Sequence, residues 1–117
     1  MKEKEIDRGY GESMAIRIDA NLKRDFETFC KSVGMTANSA VNLLMRRTVE
    51  MQRIPFEVTV NTIVQDSAEG QMLRSALRVN GQLKKEFQDT CKTIGIKMSR
   101  LIKMFMLSCI SNGKLPF

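Results

Sequence analysis

Between Ser13 and Ile18 the chain alternates. Met14, Ile16 and Ile18 fall on one side, and Ser13, Ala15 and Arg17 on the other. A period of two is that of a short strand with one face buried. The spacing then changes: Leu22, Phe26, Phe29/Cys30 and Val33 form one stripe, with Lys23, Arg24, Glu27 and Lys31 off it. That is the stripe of an amphipathic helix. Asp19 stands at its start as an N-cap, and Gly34 at its end, where the backbone must turn left-handed. A second helix is expected from Thr36, another capping residue, with Val41, Leu44, Met45 and Thr48 facing inward.

The whole pattern then recurs. Residues 15–56 and 76–117 align without a gap at an offset of 61, and each stretch closes on Pro-Phe. Leu77 and Val79 now face inward, with Ser75 a weaker inward residue, against Arg74, Ala76 and Arg78. Asn80 takes the capping place, Leu83, Phe87, Cys91 and Ile94 the stripe, and Gly95 the turn. Two copies, rather than an array, predict one object with approximate two-fold symmetry made from a single chain. Each predicted strand is about six residues long and would be unstable without the other. The second copy departs in two places. Lys97 replaces the capping Thr36, and its last helix, from Met98 to Ile110, is apolar almost all round. Such a helix is buried or partnered, which suggests contact with a further protein or a second copy of the chain.

Charge sharpens the picture. Of the net +6, residues 1–14 carry −1, residues 15–56 +3, residues 57–73 −3 and residues 74–117 +7. Basic charge therefore sits on the repeats, where a polyanion would be met. No apolar run reaches the length of a membrane span, and the N-terminus has no apolar core of an export signal. Three cysteines, two at equivalent positions, predict reduced, buried thiols in a cytoplasmic protein. With no histidine, no phosphate-binding glycine loop and no nucleophile beside a base, neither an enzyme, a zinc site nor a cofactor is expected. Four segments follow: a disordered tail at 1–12, a first unit at 13–56, an acidic connector at 57–73 and a second unit at 74–117. Within the connector Val58, Val60 and Ile63 alternate like a strand, and Asp66 to Gly70 reads as a turn or loop.

Strand, helix, glycine turn and helix, twice, resemble the ribbon-helix-helix family of DNA-binding proteins. The first copy is also similar to the RelB/DinJ branch of antitoxins. Arg17-Ile18-Asp19 with Asn21-Leu22-Lys23, Val33-Gly34-Met35-Thr36 and Leu43-Leu44 to Val49 carry that likeness, continued by Ile54-Pro55-Phe56-Glu57, Thr62-Ile63 and Ser67-Ala68-Glu69-Gly70. The resemblance implies a mainly α fold in which two β-α-α units interlock around a two-stranded antiparallel ribbon, which enters the DNA major groove. It implies a sequence-specific regulator of its own operon, with double-stranded DNA and a toxin protein as partners. The alternative is a protein-interaction module that holds a toxin, or another copy of itself, without strong DNA specificity. Antitoxins of this branch usually pair two chains, and each continues into a toxin-wrapping segment. Here that segment runs straight into a second unit, which implies either a single-chain pseudo-dimer or a pair of such chains sharing units.

The candidate DNA contacts come from the outward strand positions and the starts of the second helices. A guanidinium at Arg17 or Arg78 can fork onto the acceptors of guanine, the bland alternative being a solvated or ion-paired surface arginine. Arg74 shares that face, with Ser13 opposite it in the repeat. Ala15 and Ala76 can touch a thymine methyl or merely permit close approach. Thr36 and Asn38, and in the second copy Lys97 and Ser99, bracket helix starts whose free amides suit phosphate as well as ordinary capping. Lys23, Arg24, Lys84 and Lys85 read as a solvated face, Asp19 and Asn80 as caps rather than base readers, and Cys30 and Cys91 as core.

Overall fold

The computed structural model describes residues 11–62 and 72–117. Of the expected tail at 1–12, residues 1–10 lie outside these residues, as do Ile63 and the Asp66–Gly70 loop, while Glu12 opens the first strand rather than ending a disordered tail. Among them the order is strand β1 (Glu12–Asp19), helices α1 (Ala20–Ser32) and α2 (Ala37–Met51), a 3-10 turn (Val60–Thr62), strand β2 (Met72–Val79), and helices α3 (Gly81–Ile94) and α4 (Met98–Asn112). The fold is mainly helical, with a two-stranded antiparallel sheet. Both strands run for eight residues, longer than the alternation alone suggested, so β2 takes in the last two residues assigned to the connector.

Pairing is between segments far apart in the chain. Ser13 faces Arg78, Ala15 faces Ala76, and Arg17 faces Arg74. Ala76 is also the counterpart of Ala15 in the 61-residue repeat. Beneath this ribbon Met14, Ile16, Ile18, Leu77 and Val79 are buried, while its outward residues are exposed. Two strands alone would bury too little, so the helices must supply the rest of the core. They do so crosswise: α1 packs on α4, and α2 on α3, so each half covers the other's apolar stripe. Phe105 joins the layers, with its ring centroid 5.9 Å from Phe26 and 5.7 Å from Phe117.

Element ends follow the chemistry that the residues offer. Asp19 accepts from the amides of Asn21 and Leu22 at 3.0 and 3.1 Å. Asn80 accepts from Leu83 at 2.9 Å, and Thr36 from Ser39 at 3.1 Å. Lys97 begins α4 without a side-chain cap. Gly34, Gly95 and Gly113 take left-handed backbone after their helices, and Gln52 does so without being glycine. Gln52 also reaches across to the other half, donating from Nε2 to Thr90 Oγ1 at 3.2 Å.

Two expectations need correction. Val33, placed on the buried stripe of α1, is 39% exposed, because the helix ends there before the glycine turn. The connector's Val58 and Val60 do not form a strand. Val60 opens the 3-10 turn, held where Thr62 Oγ1 donates to the Thr59 carbonyl at 2.8 Å, and both valines are exposed. The apolar α4 also covers much of its own surface: Leu101, Ile102, Met104, Phe105, Met106 and Cys109 are buried within this chain. No helix among the described residues is long and apolar enough to cross a membrane.

All three thiols lie in the core. Burial pushes Cys30 up to about 11, aided by the nearby Glu27 charge, and Cys91 up to about 11. Burial, with Cys30 alongside, pushes Cys109 from the usual 9.0 to about 12. The neutral thiol is thus the form that folding favours. Its contribution is complete below the unfolded value and declines as pH rises toward the folded one. A Cys109→Ala chain should melt below the parent at neutral pH, and the gap should narrow between pH 9 and 12. A gap that stayed constant across that range would mean the thiol is not shielded from water.

Candidate nucleic-acid interface

The alternation that buries Met14, Ile16 and Ile18 necessarily sends Ser13, Ala15 and Arg17 to the other face, and β2 does the same with Arg74, Ala76 and Arg78. All six are exposed and share one side of the ribbon. The two alanines form its centre, Arg17 with Arg74 one end, and Arg78 with Ser13 the other. Small residues at the middle let the backbone approach a flat partner, and the long cations flank it.

Arg17 lies directly opposite Arg74, and among the described residues neither forms an ion pair. Like charges facing across a strand pair are destabilising. A surface chosen for stability alone would place an acid in one of these positions. This unrelieved positive charge is what a polyanion would neutralise.

Arg78 is held differently. Its backbone N–H donates to Asn38 Oδ1 at 3.1 Å, its carbonyl accepts from Asn42 Nδ2 at 3.2 Å, and its Nη2 lies 3.5 Å from the Gly11 carbonyl. Asn42 is buried and also accepts from the Asn80 amide at 3.0 Å. The start of α2 is therefore fastened to the Arg78 end of the ribbon. Asn38, expected as a phosphate contact, uses its side chain to position this strand. Asn42 was missed by the sequence reading. Its counterpart in the repeat is Lys103, so symmetry offered no signal. An asparagine on the inward side of α2, among Val41, Leu44 and Met45, was the clue available.

The remaining candidates stand at helix starts. Thr36 caps α2 and is exposed, Lys97 precedes α4 and is exposed, and Ser99 lies in the first turn of α4, partly buried. Of the helix-face cations, Lys23 pairs with Glu27 at 3.0 Å, and Lys84 Nζ donates to the Ser13 carbonyl at 3.4 Å, at the ribbon's edge. No group of three or more His, Cys, Asp or Glu side chains converges to hold a metal among the described residues.

The chain belongs to the RelB antitoxin family, whose model matches residues 11–69 and again residues 71–117. That family is regulatory, with an antitoxin-type function, and not enzymatic. Comparison with curated proteins and with solved structures gives no match.

The Arg17–Arg74 pair on the ribbon and Asn42 in α2 should respond oppositely to truncation. Arg17→Ala with Arg74→Ala should leave the melting temperature of the free protein unchanged or raised at low salt, because a repulsion is removed. Asn42→Ala should cost about 1–3 kcal/mol, since the Arg78 carbonyl and Asn80 amide lose their partner in a closed site. Thermal melts of both variants at two salt concentrations check this.

Proposed function

We propose that the chain is a sequence-specific DNA-binding regulator that reads the major groove with its two-stranded ribbon and represses its own operon as antitoxins do. On this reading residues 13–56 and 74–117 are two ribbon-helix-helix units closed on each other within one chain, joined by the acidic connector at 57–73. The pairing of Ala15 with its own repeat counterpart Ala76 supports that symmetry, because a two-fold axis relating the copies must pass through such a pair. The observation that carries the function is the opposed Arg17 and Arg74 on an exposed face.

The physical fit is direct. A two-stranded ribbon has the width of the major groove, and arginines on its outer face can fork onto guanine O6 and N7. Thr36 and Asn38 at the start of α2, and Lys97 and Ser99 at the start of α4, would meet phosphates on either side, with backbone amides as donors. Such contacts fix position; Arg17, Arg74 and Arg78 specify, and Ser13, Ala15 and Ala76 shape the remaining contact. Affinity should therefore fall steeply as salt rises, through counterion release.

A gel shift on the DNA upstream of its own reading frame tests the reading. Arg17→Ala with Arg78→Ala should abolish preference for that DNA over unrelated duplex, while circular dichroism still reports folded helix. Equal preference in parent and variant would mean that the ribbon is not the reader.

A second reading is favoured by family membership together with Val58 and Val60, which are 51% and 81% exposed beside the acidic Glu57. Apolar side chains left in water on an acidic connector suit a basic toxin, with a second copy of the chain as the other candidate. Co-expression with a neighbouring small basic reading frame should yield a co-purifying complex. A chain that always emerges by itself, at the mass of one copy, would remove this reading.

A further inference from the structure

The two ends of the ribbon are not equivalent, and the arginines set the difference. In a pair of identical chains both ends would present the same residues. Here one end has Arg17 opposite Arg74, and the other Arg78 opposite Ser13. The repeat places Ser13 where β2 has Arg74, and Glu12 where β2 has Leu73. Glu12 is exposed, pairs with Val79, and lays its carboxylate against Gly81, beside the Arg78 end. One end therefore carries two arginines, with the Asp19 carboxylate beyond them engaged as the cap of α1, and the other carries one arginine with the Glu12 carboxylate near it.

We propose that the protein recognises a non-palindromic DNA site in one fixed orientation, with the Arg17–Arg74 end carrying most of the base recognition and the Ser13–Arg78 end a weaker share. The proposal rests on the DNA-binding reading above. Two arginines side by side can each engage a guanine, whereas the hydroxyl of Ser13 reads either base type and reaches less far. Glu12 and Asp19 place one carboxylate at each end, so their repulsion of phosphate is shared and the arginine count sets the difference. By the same repeat, the start of α4, with the full charge of Lys97, corresponds to that of α2, with the neutral Thr36. If α4 addresses its end of the ribbon as α2 addresses Arg78, that charge adds to the stronger side.

Selection from a pool of duplexes randomised over about two helical turns is the test. The unaltered chain should enrich a site with a guanine-containing strong half and a degenerate weak half. Replacing a base pair in the strong half should weaken binding about ten-fold more than the mirrored change in the weak half. Ser13→Arg should make the enriched site near-palindromic with two strong halves, and Arg74→Ser near-palindromic with two weak ones. Both substitutions fall on the exposed face, and melting curves verify that each variant is folded. A palindromic site selected by the unaltered chain would overturn the directional proposal and leave the DNA-binding reading standing. Failure of the unaltered chain to enrich any sequence would overturn the DNA-binding reading itself, and this proposal with it.

Discussion

The pairing of β1 with β2 is the constraint on which everything else rests. Each strand is eight residues long, and they come from opposite halves of the sequence, so closing them carries a loop-closure cost that local contacts do not repay. What holds the register is the layer beneath. Met14, Ile16, Ile18, Leu77 and Val79 are buried, and a slip by one residue would drive arginines inward and these side chains into water. The core thus selects which residues face out. The exposed set of Ser13, Ala15, Arg17, Arg74, Ala76 and Arg78 is a consequence of hydrophobic packing before it is a statement about any partner.

The helices make that register durable by crossing between halves. Because α1 lies on α4 and α2 on α3, neither half can bury its own stripe without the other. Phe105 stands where the repeat has Leu44, and both are fully buried. The larger ring fills the junction among Phe26, Phe56 and Phe117, and the Arg47 guanidinium sits 5.4 Å from the centre of the Phe117 ring. Both Pro-Phe ends thereby fold back on the core as one feature. The polar link from Gln52 to Thr90 and the ties from Asn38 and Asn42 to Arg78 join the same two halves. Separation of the halves would therefore break the sheet, the core and these hydrogen bonds together.

Much of this was legible in the residues. The period of two identified the inward and outward faces of both strands, and the capping roles of Asp19, Thr36 and Asn80 follow from their side-chain oxygens standing before an apolar stripe. The missing cap at Lys97 was equally visible. Failures came where local pattern competes with tertiary context. Val33 continues the stripe by spacing, but the chain turns at Gly34 and lifts it out. Val58 and Val60 alternate as a strand would, yet no third strand lies beside the ribbon among the described residues, and the threonine hydrogen bonds form a tight turn instead. Asn42 was hidden because its value lies in a contact with a strand 36 residues away. The apolarity of α4 is met largely inside the chain, where it packs on α1 of the opposite half and buries Leu101, Ile102, Met104, Phe105, Met106 and Cys109.

Joining two copies in one chain also releases them from identity. In an assembly of identical chains, a residue that serves stability at one end is imposed on the other as well. Here the first half holds the capping Thr36, the strand-fastening Asn38 and the buried Asn42, and the second has Lys97, Ser99 and Lys103 at those positions. Hydrogen-bonding side chains that fasten the ribbon are concentrated in one copy, and cations in the other. The +3 and +7 charges of residues 15–56 and 74–117 are the same division seen in composition. The Arg17–Arg74 repulsion is tolerable in this arrangement because the register is secured from beneath by the core and from the far end by Asn38 and Asn42. An electrostatically unfavourable surface can persist only where other elements over-determine its geometry, and the tethered second copy supplies them.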